Sequence, residues 1–440
     1  MDRSRFEDLT SMVQELIPAA HGYTLDVSGE ESDFVRFTHG RVRQPGSVRQ
    51  IQADIRVMSG KRHATSTVSL VGEPDEDRRR VAAAIDEVVA MLPHLPDDPH
   101  LLLAEEVQHS ESIDPVQAAE PELVVDTVHG AAAGTDLVGI YAGGSLWRGF
   151  ANHHGQRNWF RSGSSLLDYC LVHDADKAVK ASVGGKTFDV NAVRRSIDGA
   201  RRQLGPLSRP SRSIPPGEYR AFLTPIAVME IVDLLSRGGY SARAQATKVS
   251  PLQKLTDGSA SLSPLVSLTE DTAGGTGPNF QGEGFVLPPV LPLIKEGRHA
   301  GSLVSPRSAS EYGLQPNAGA GEYPGALALD GGDLDEDEIL QRLGKGLWIS
   351  NLWYLNFSDR NAGRITGMTR FATFWVEEGE VVAPVSVMRF DASVYDLLGA
   401  SLEALTKEVA FLPSASTYGA RSTESHRMPG ALVSSLPFTL

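Results

Sequence analysis

The chain has 440 residues, 41% of them hydrophobic and 22% charged, and a formal net charge of −14. That length supports more than one buried core. An acidic balance disfavours sequence-independent binding to phosphate backbones. The one cysteine, Cys170, excludes an intrachain disulfide and a cysteine-rich zinc site.

The first predicted element is a helix. Phe6, Leu9, Met12, Val13, Leu16 and Ile17 recur at three- and four-residue spacing and make one apolar stripe. Arg41, Arg43 and Arg49 are expected to face water on strands. Ile51, Ala53, Ile55 and Val57 alternate with polar residues, the pattern of a half-buried strand, and Ser59-Gly60 turns it into a returning strand over 63–71. A second helix is expected over 75–91, stopped by Pro93 and Pro96. Residues 93–121 read as a connecting segment and 122–205 as short strands. Four prolines in 206–217 mark a linker. The divisions expected are 1–115, an N-terminal α+β domain; 116–212, a central domain; and 213–440, a β-rich domain.

Beyond the linker, 218–224 reads as a strand. Pro225 suits a helix first turn, and Gly238-Gly239 ends that helix. Asp333 is expected to cap a helix running to Leu343. A hairpin with strands over 371–376 and 381–389 turns at Glu378-Gly379. The fold class expected is α+β: a helix-strand module followed by a β-rich C-terminal domain.

Catalytic signatures are missing. No His-Glu-x-x-His, Gly-x-Ser-x-Gly, Ser-x-x-Lys or P-loop is present. His153-His154 is a poor chelate, because neighbours on a strand or helix point apart. Cys170 and His173 should face opposite sides of a strand. No run of about 18 apolar residues exists to cross a membrane, and the acid-bearing N-terminus is unlike a signal peptide, so a cytoplasmic protein is expected.

Several segments, in order, resemble the TldD/PmbA family: Glu31–Phe37 with Gly40–Arg43; Pro216-Gly217-Glu218-Tyr219 followed by Pro225; Phe280-Gln281-Gly282-Glu283-Gly284; Gly346-Leu347-Trp348-Ile349; and Arg364-Ile365-Thr366-Gly367 through Gly379-Glu380. The family's catalytic subunit is a zinc peptidase with a His-Glu-x-x-x-His helix and a C-terminal cysteine. Aligned on Pro225, Glu230 falls on the glutamate, while Met229 and Leu234 stand where the histidines would be; residues 411–430 hold no cysteine. The resemblance therefore implies the TldE/PmbA-like, non-catalytic branch. It implies no activity alone and no metal in this chain. It further implies a zinc-bearing TldD-like partner and an unstructured peptide substrate held as an added strand. The polar residues Ser350, Asn351, Trp353, Asn356, Arg360, Arg364 and Thr366 are the candidates for peptide or partner contacts. Two alternatives stand beside this reading: a homodimeric scaffold modulating a toxin or gyrase system, and a hydrolase with an unrecognised site.

Overall fold

The computed structural model describes residues 1–115, 118–174 and 177–439. Its architecture is α+β with a β-rich C-terminal half, as the residue patterns predict. A seven-stranded sheet occupies the first half. Its main path runs Arg62–Leu70, Arg41–Ser59, Gly22–Thr38, Asp136–Asn152, Arg157–Asp174 and Ser110–Ile113, with Lys177–Gly185 also on Arg157–Asp174. The expected boundary at 115/116 abuts residues 116–117, which lie outside the described residues; strands from both sides of it share this one sheet.

Period-two alternation gives that sheet two different faces. Leu25, Val27, Ile51, Ala53, Ile55 and Trp147 point to one side, under the helices Arg3–Leu16 and Pro74–Met91. Asp2 caps the first helix by accepting from Arg5 N at 3.0 Å. Further along, Val35, Phe37, Leu137, Tyr141, Leu167 and Tyr169 pack with the helices Pro121–Ala131 and Val190–Leu207. These two helices correct the expectation of short strands over 122–205. Val124 with Val128, and Val193 with Ile197 and Ala200, carry the helical spacing. Two of the strands between them, Asp136–Asn152 and Arg157–Asp174, are 17 and 18 residues long, because they pair along nearly their whole length, and the third, Lys177–Gly185, has nine residues.

The opposite face carries Asp26, Glu30, Ser32, Phe150, Asn158 and Phe160. Most of it is covered by the C-terminal half: Glu30, Ser32, Phe150, Asn158 and Phe160 are all buried.

The second half is an eleven-stranded sheet. Gly217–Leu223 pairs in parallel with Gly346–Asp359 and antiparallel with Ser425–Phe438. With Arg364–Glu377 and Arg389–Ser393 these strands close a ring of five. The helix Pro225–Ser236 packs against the ring, and its Ala227, Val228, Ile231, Val232, Leu234 and Leu235 belong to the largest core. The helix expected from Asp333 is only a 3-10 turn, Glu336–Glu338, followed by Ile339–Leu343; Asp335 occupies the cap position instead. The expected strand over 381–389 divides into Glu380–Pro384, paired with Arg364–Glu377 at one end, and Arg389–Ser393, paired with it at the other. Within 206–217, Arg212 is pinned rather than loose. Its N–H donates to Pro384 O at 2.7 Å, and its guanidinium stands 4.7 Å over Trp375.

Candidate functional site

The helix Pro225–Ser236 is where the family resemblance places chemistry, and its start is built as the residues predict. Thr224 is the N-cap, accepting from Ala227 N at 3.4 Å, and Pro225 fills the first turn. The same hydroxyl donates to Ser350 O at 2.5 Å, which ties the helix to the strand Gly346–Asp359.

That strand outruns its neighbour. Pairing with Gly217–Leu223 ends at Ile349 opposite Leu223, so the backbone beyond it lacks a strand on that side. Glu230 supplies the missing acceptor: its Oε2 accepts from Leu352 N at 2.5 Å. Burial pushes the Glu230 carboxyl up to about 7, against the opposing pull of the Leu352 N–H, the Asn351 amide and the more distant Lys180. Asn351 is 1% exposed, and neither side-chain polar atom makes a hydrogen bond of standard geometry. Its amide nevertheless lies close enough to Glu230 to favour the charged form.

Lys180 is itself committed to Asp168, at 2.7 and 2.6 Å from the two carboxylate oxygens. Cys170, half-buried, sits two residues further along that strand, and burial raises its thiol pKa. Arg370 stacks 4.2 Å over Trp353.

The seven candidate contact residues separate into two groups. Ser350, Asn351 and Trp353 cluster near Glu230 and Arg370. Ser350 is buried and donates to Arg370 O at 3.3 Å, whereas Trp353 is 44% exposed. Asn356, Arg360, Arg364 and Thr366 lie farther along the hairpin and are occupied locally. Asn356 accepts from Phe357 N at 2.8 Å, and Thr366 donates to Phe390 O at 3.0 Å. Arg364 pairs with Asp391. Arg360 donates to Val249 O at 2.9 Å and to Arg237 O, and so staples the end of the helix.

The residues at the aligned ligand positions do not fit zinc. That ion takes imidazole nitrogen, thiolate or carboxylate oxygen. Leu234 is 2% exposed within the core, and the thioether of Met229 packs against the same core. Among the described residues no three His, Cys, Asp or Glu side chains gather as a ligand set. His153 and His154 are not opposed, as neighbours on a strand would be. They occupy a turn, which brings their rings to 4.0 Å, and His153 Nδ1 hydrogen-bonds with the backbone of Tyr23.

Other residues prove as important as those foreseen. The segment Phe280–Gly284 fastens the two halves together. Phe280 packs with Phe150 and Phe160, Glu283 pairs with Arg56 at 3.0 Å, and Gly284 O accepts from Gln156 Nε2 at 2.8 Å. Beside it, a cleft of about 640 Å³ is lined by Glu30, Gln50 and Gln52 on one side and by the loop 419–424 on the other, and Gln50 Nε2 bridges the two by donating to Gly419 O at 2.9 Å. Within that boundary Arg421 and Glu30, with side chains 5% and 3% exposed, pair at 3.4 Å. Charged residues at alternate strand positions read as a water-facing edge, which hides such a pair from the sequence. Arg41, Arg43 and Arg49 do face water, on the hairpin arm. Among the described residues no helix is long and apolar enough to cross a membrane.

Comparisons with known proteins agree with this fold. Residues 216–439 match the family model for the PmbA/TldA metallopeptidase C-terminal domain. No curated protein matches. The structure of TldE from Thermococcus kodakarensis superposes with a TM-score of 0.79 at 16% identity, covering 99% of this chain and 100% of that one. A proposed modulator of a DNA gyrase from Thermotoga maritima gives 0.76 at 15% identity, covering 99% and 100%. One from Bacteroides thetaiotaomicron gives 0.74 at 16%, covering 100% and 99%. These likenesses establish a shared fold over the full length. The family model spans more than half of the chain, from the linker through the closing strand, and the chain belongs to the TldD/PmbA family.

Proposed function

We propose that this chain is the non-catalytic subunit of a two-subunit peptidase of the TldD/TldE type, acting on unstructured peptides beside a zinc-bearing TldD-like partner. The observation that carries this reading is the use to which the central helix is put. Leu234 is sealed in the core, and the Glu230 carboxylate is engaged by Leu352 N–H. A helix that in a catalytic subunit would hold metal and general base here serves packing and strand capping.

Open strand edges support the second half of the reading. The arm Arg41–Ser59 extends beyond its outer neighbour, whose pairing ends with Leu70 opposite Ile51. Residues 41–50 therefore present backbone groups without a strand on that side. An extended peptide or a partner's strand adds to such an edge through main-chain hydrogen bonds. No zinc is expected in this chain, and a cytoplasmic location accords with a single half-buried thiol.

The test is assembly. Light scattering on the chain mixed with a His-Glu-x-x-x-His-bearing family member from the same genome should show a stable 1:1 complex. A chain that forms only self-dimers in the presence of that member supports the scaffold reading instead.

A further inference from the structure

Successive strand residues alternate between faces, so Phe34, Arg36 and Thr38 point away from the helix-packed side that holds Val35 and Phe37. On their side two depressions, of about 250 and 370 Å³, meet at Arg36, Ile140 and Thr417, which line both. Phe34 and Val48 belong to the first; Thr38, Arg43 and Val138 belong to the second. Val48 and Val138 are 37% and 41% exposed, so aliphatic surface is open to solvent in each.

The ladder is irregular at this point. Gln44 lies opposite Arg36 and Val42 opposite Phe37, so Arg43 is one residue too many. In a bulge two residues oppose one, and the extra side chain is re-aimed. Here the two flank Arg36: Gln44 lines the first depression and Arg43 the second. A regular ladder would set one residue opposite Arg36; the bulge adds a second cation to the groove.

Neither cation is matched. The Arg36 and Arg43 side chains make no hydrogen bond, ion pair or ring contact among the described residues. Lys180 and Asp168, which also line the second depression, cancel each other at 2.7 and 2.6 Å. The groove therefore keeps two uncompensated positive charges in a chain whose net charge is −14. A carboxylate is the complement of such a place, whereas a polyphosphate chain would also meet the acidic remainder of the surface.

We propose that this groove binds an extended, acid-bearing peptide segment. A carboxylate side chain sits at Arg36 and Arg43, and an apolar side chain two residues away sits against Phe34, Ile140 and Val48. The spacing follows from the strand. Phe34 and Arg36 are two residues apart, roughly 6.7 Å along it, and alternate side chains of an extended peptide repeat at the same distance. The inference rests on the peptide-acting part of the proposed function and gives that peptide a class, apolar-x-acidic. It needs no zinc-bearing partner.

Fluorescence anisotropy on the full chain alone tests it, with the dansylated, C-terminally amidated peptide Ser-Leu-Ser-Glu-Ser-Leu-Ser and its glutamine counterpart. The glutamate peptide should bind at least about fivefold more tightly at low salt, and the difference should shrink at about 0.5 M salt. Serine in place of both leucines should weaken binding at least about threefold. Arg36→Gln with Arg43→Gln should abolish the preference for glutamate; both side chains are exposed, so the thermal melt should not move. Arg194→Gln with Arg195→Gln removes the same charge from the helix Val190–Leu207, on the other face of the sheet, and should preserve the preference. Equal binding of the glutamate and glutamine peptides, or of the leucine-free peptide, would overturn the proposal. So would a preference unchanged in R36Q/R43Q or lost equally in R194Q/R195Q, no saturable binding, or a short oligothymidylate that binds more tightly and displaces the peptide. Because no partner is present, failure here leaves the assembly test standing, and failure of assembly leaves this binding measurable.

Discussion

Replacing Glu230 by glutamine should stabilise the protein at alkaline pH. Burial raises the Glu230 carboxyl from 4.5 to about 7, so the folded protein holds this proton more tightly than the unfolded chain does. A raised acid contributes its full stability below 4.5, loses it progressively between 4.5 and about 7, and carries the whole penalty of a buried charge above that window. At 1.36 kcal/mol for each tenfold change in affinity, the difference amounts to about 3 kcal/mol. Glutamine keeps a carbonyl oxygen for Leu352 N–H and brings no charge into the buried position. Urea unfolding followed by tryptophan fluorescence should therefore show E230Q close to wild type at pH 4.5 and more stable by up to about 3 kcal/mol at pH 8. Glu230→Ala, which orphans the Leu352 N–H, should lose about 1–3 kcal/mol under acid conditions. An E230Q protein less stable than wild type at pH 8 would show that the carboxylate is net favourable there, and the burial-penalty argument would fail.

Three further outcomes follow from the contacts between the two halves and from the lone thiol. Gly284 has φ +90°, and an added Cβ would lie 3.2 Å from both Phe150 and Gln156 Oε1. Gly284→Ala should cost about 1–3 kcal/mol and speed proteolysis between the halves; a melt equal to wild type would discount the clamp. Arg421→Ala strands the buried Glu30 and should destabilise by about 3–5 kcal/mol, while E30Q/R421M recovers most of that loss; a double variant no better than the single would contradict the pairing. Burial holds the Cys170 thiol above its ordinary range, so at pH 7 it should react with a disulfide reagent far more slowly than in urea, and equal rates would refute its shielding.

The fold was most legible where one physical signal acted alone. The stripe from Phe6 to Ile17 predicts the observed Arg3–Leu16, and the alternation from Ile51 to Val57 lies inside Arg41–Ser59. Pro225 marks its helix to the residue. Legibility failed where two signals overlapped. Val124 and Val128 lie in an eleven-residue helix whose stripe is short, and the β-branched valines there favour strands equally well. The long strands were masked by Gly143, Gly144 and Gly149. Added side chains there would strike Tyr141, the Glu31 carbonyl and Phe6, so these glycines mark close approach rather than turns.

Site legibility followed the same division. Glu230 could be aligned from Pro225, yet its role depends on where Gly217–Leu223 stops pairing with a strand more than 120 residues away. Arg360 and Arg364 looked available for binding because composition does not reveal carbonyls and carboxylates brought in from elsewhere in the chain.

Peptide cleavage with metal content tests the central claim most directly. Purified chain alone, and the chain mixed with a His-Glu-x-x-x-His-bearing relative, would be assayed on an unstructured peptide with and without a chelator, with zinc measured in each. The chain alone should hold no stoichiometric zinc and show no turnover, and the mixture should show chelator-sensitive cleavage that exceeds the relative's own. Tightly bound zinc or chelator-resistant turnover in the isolated chain would contradict it.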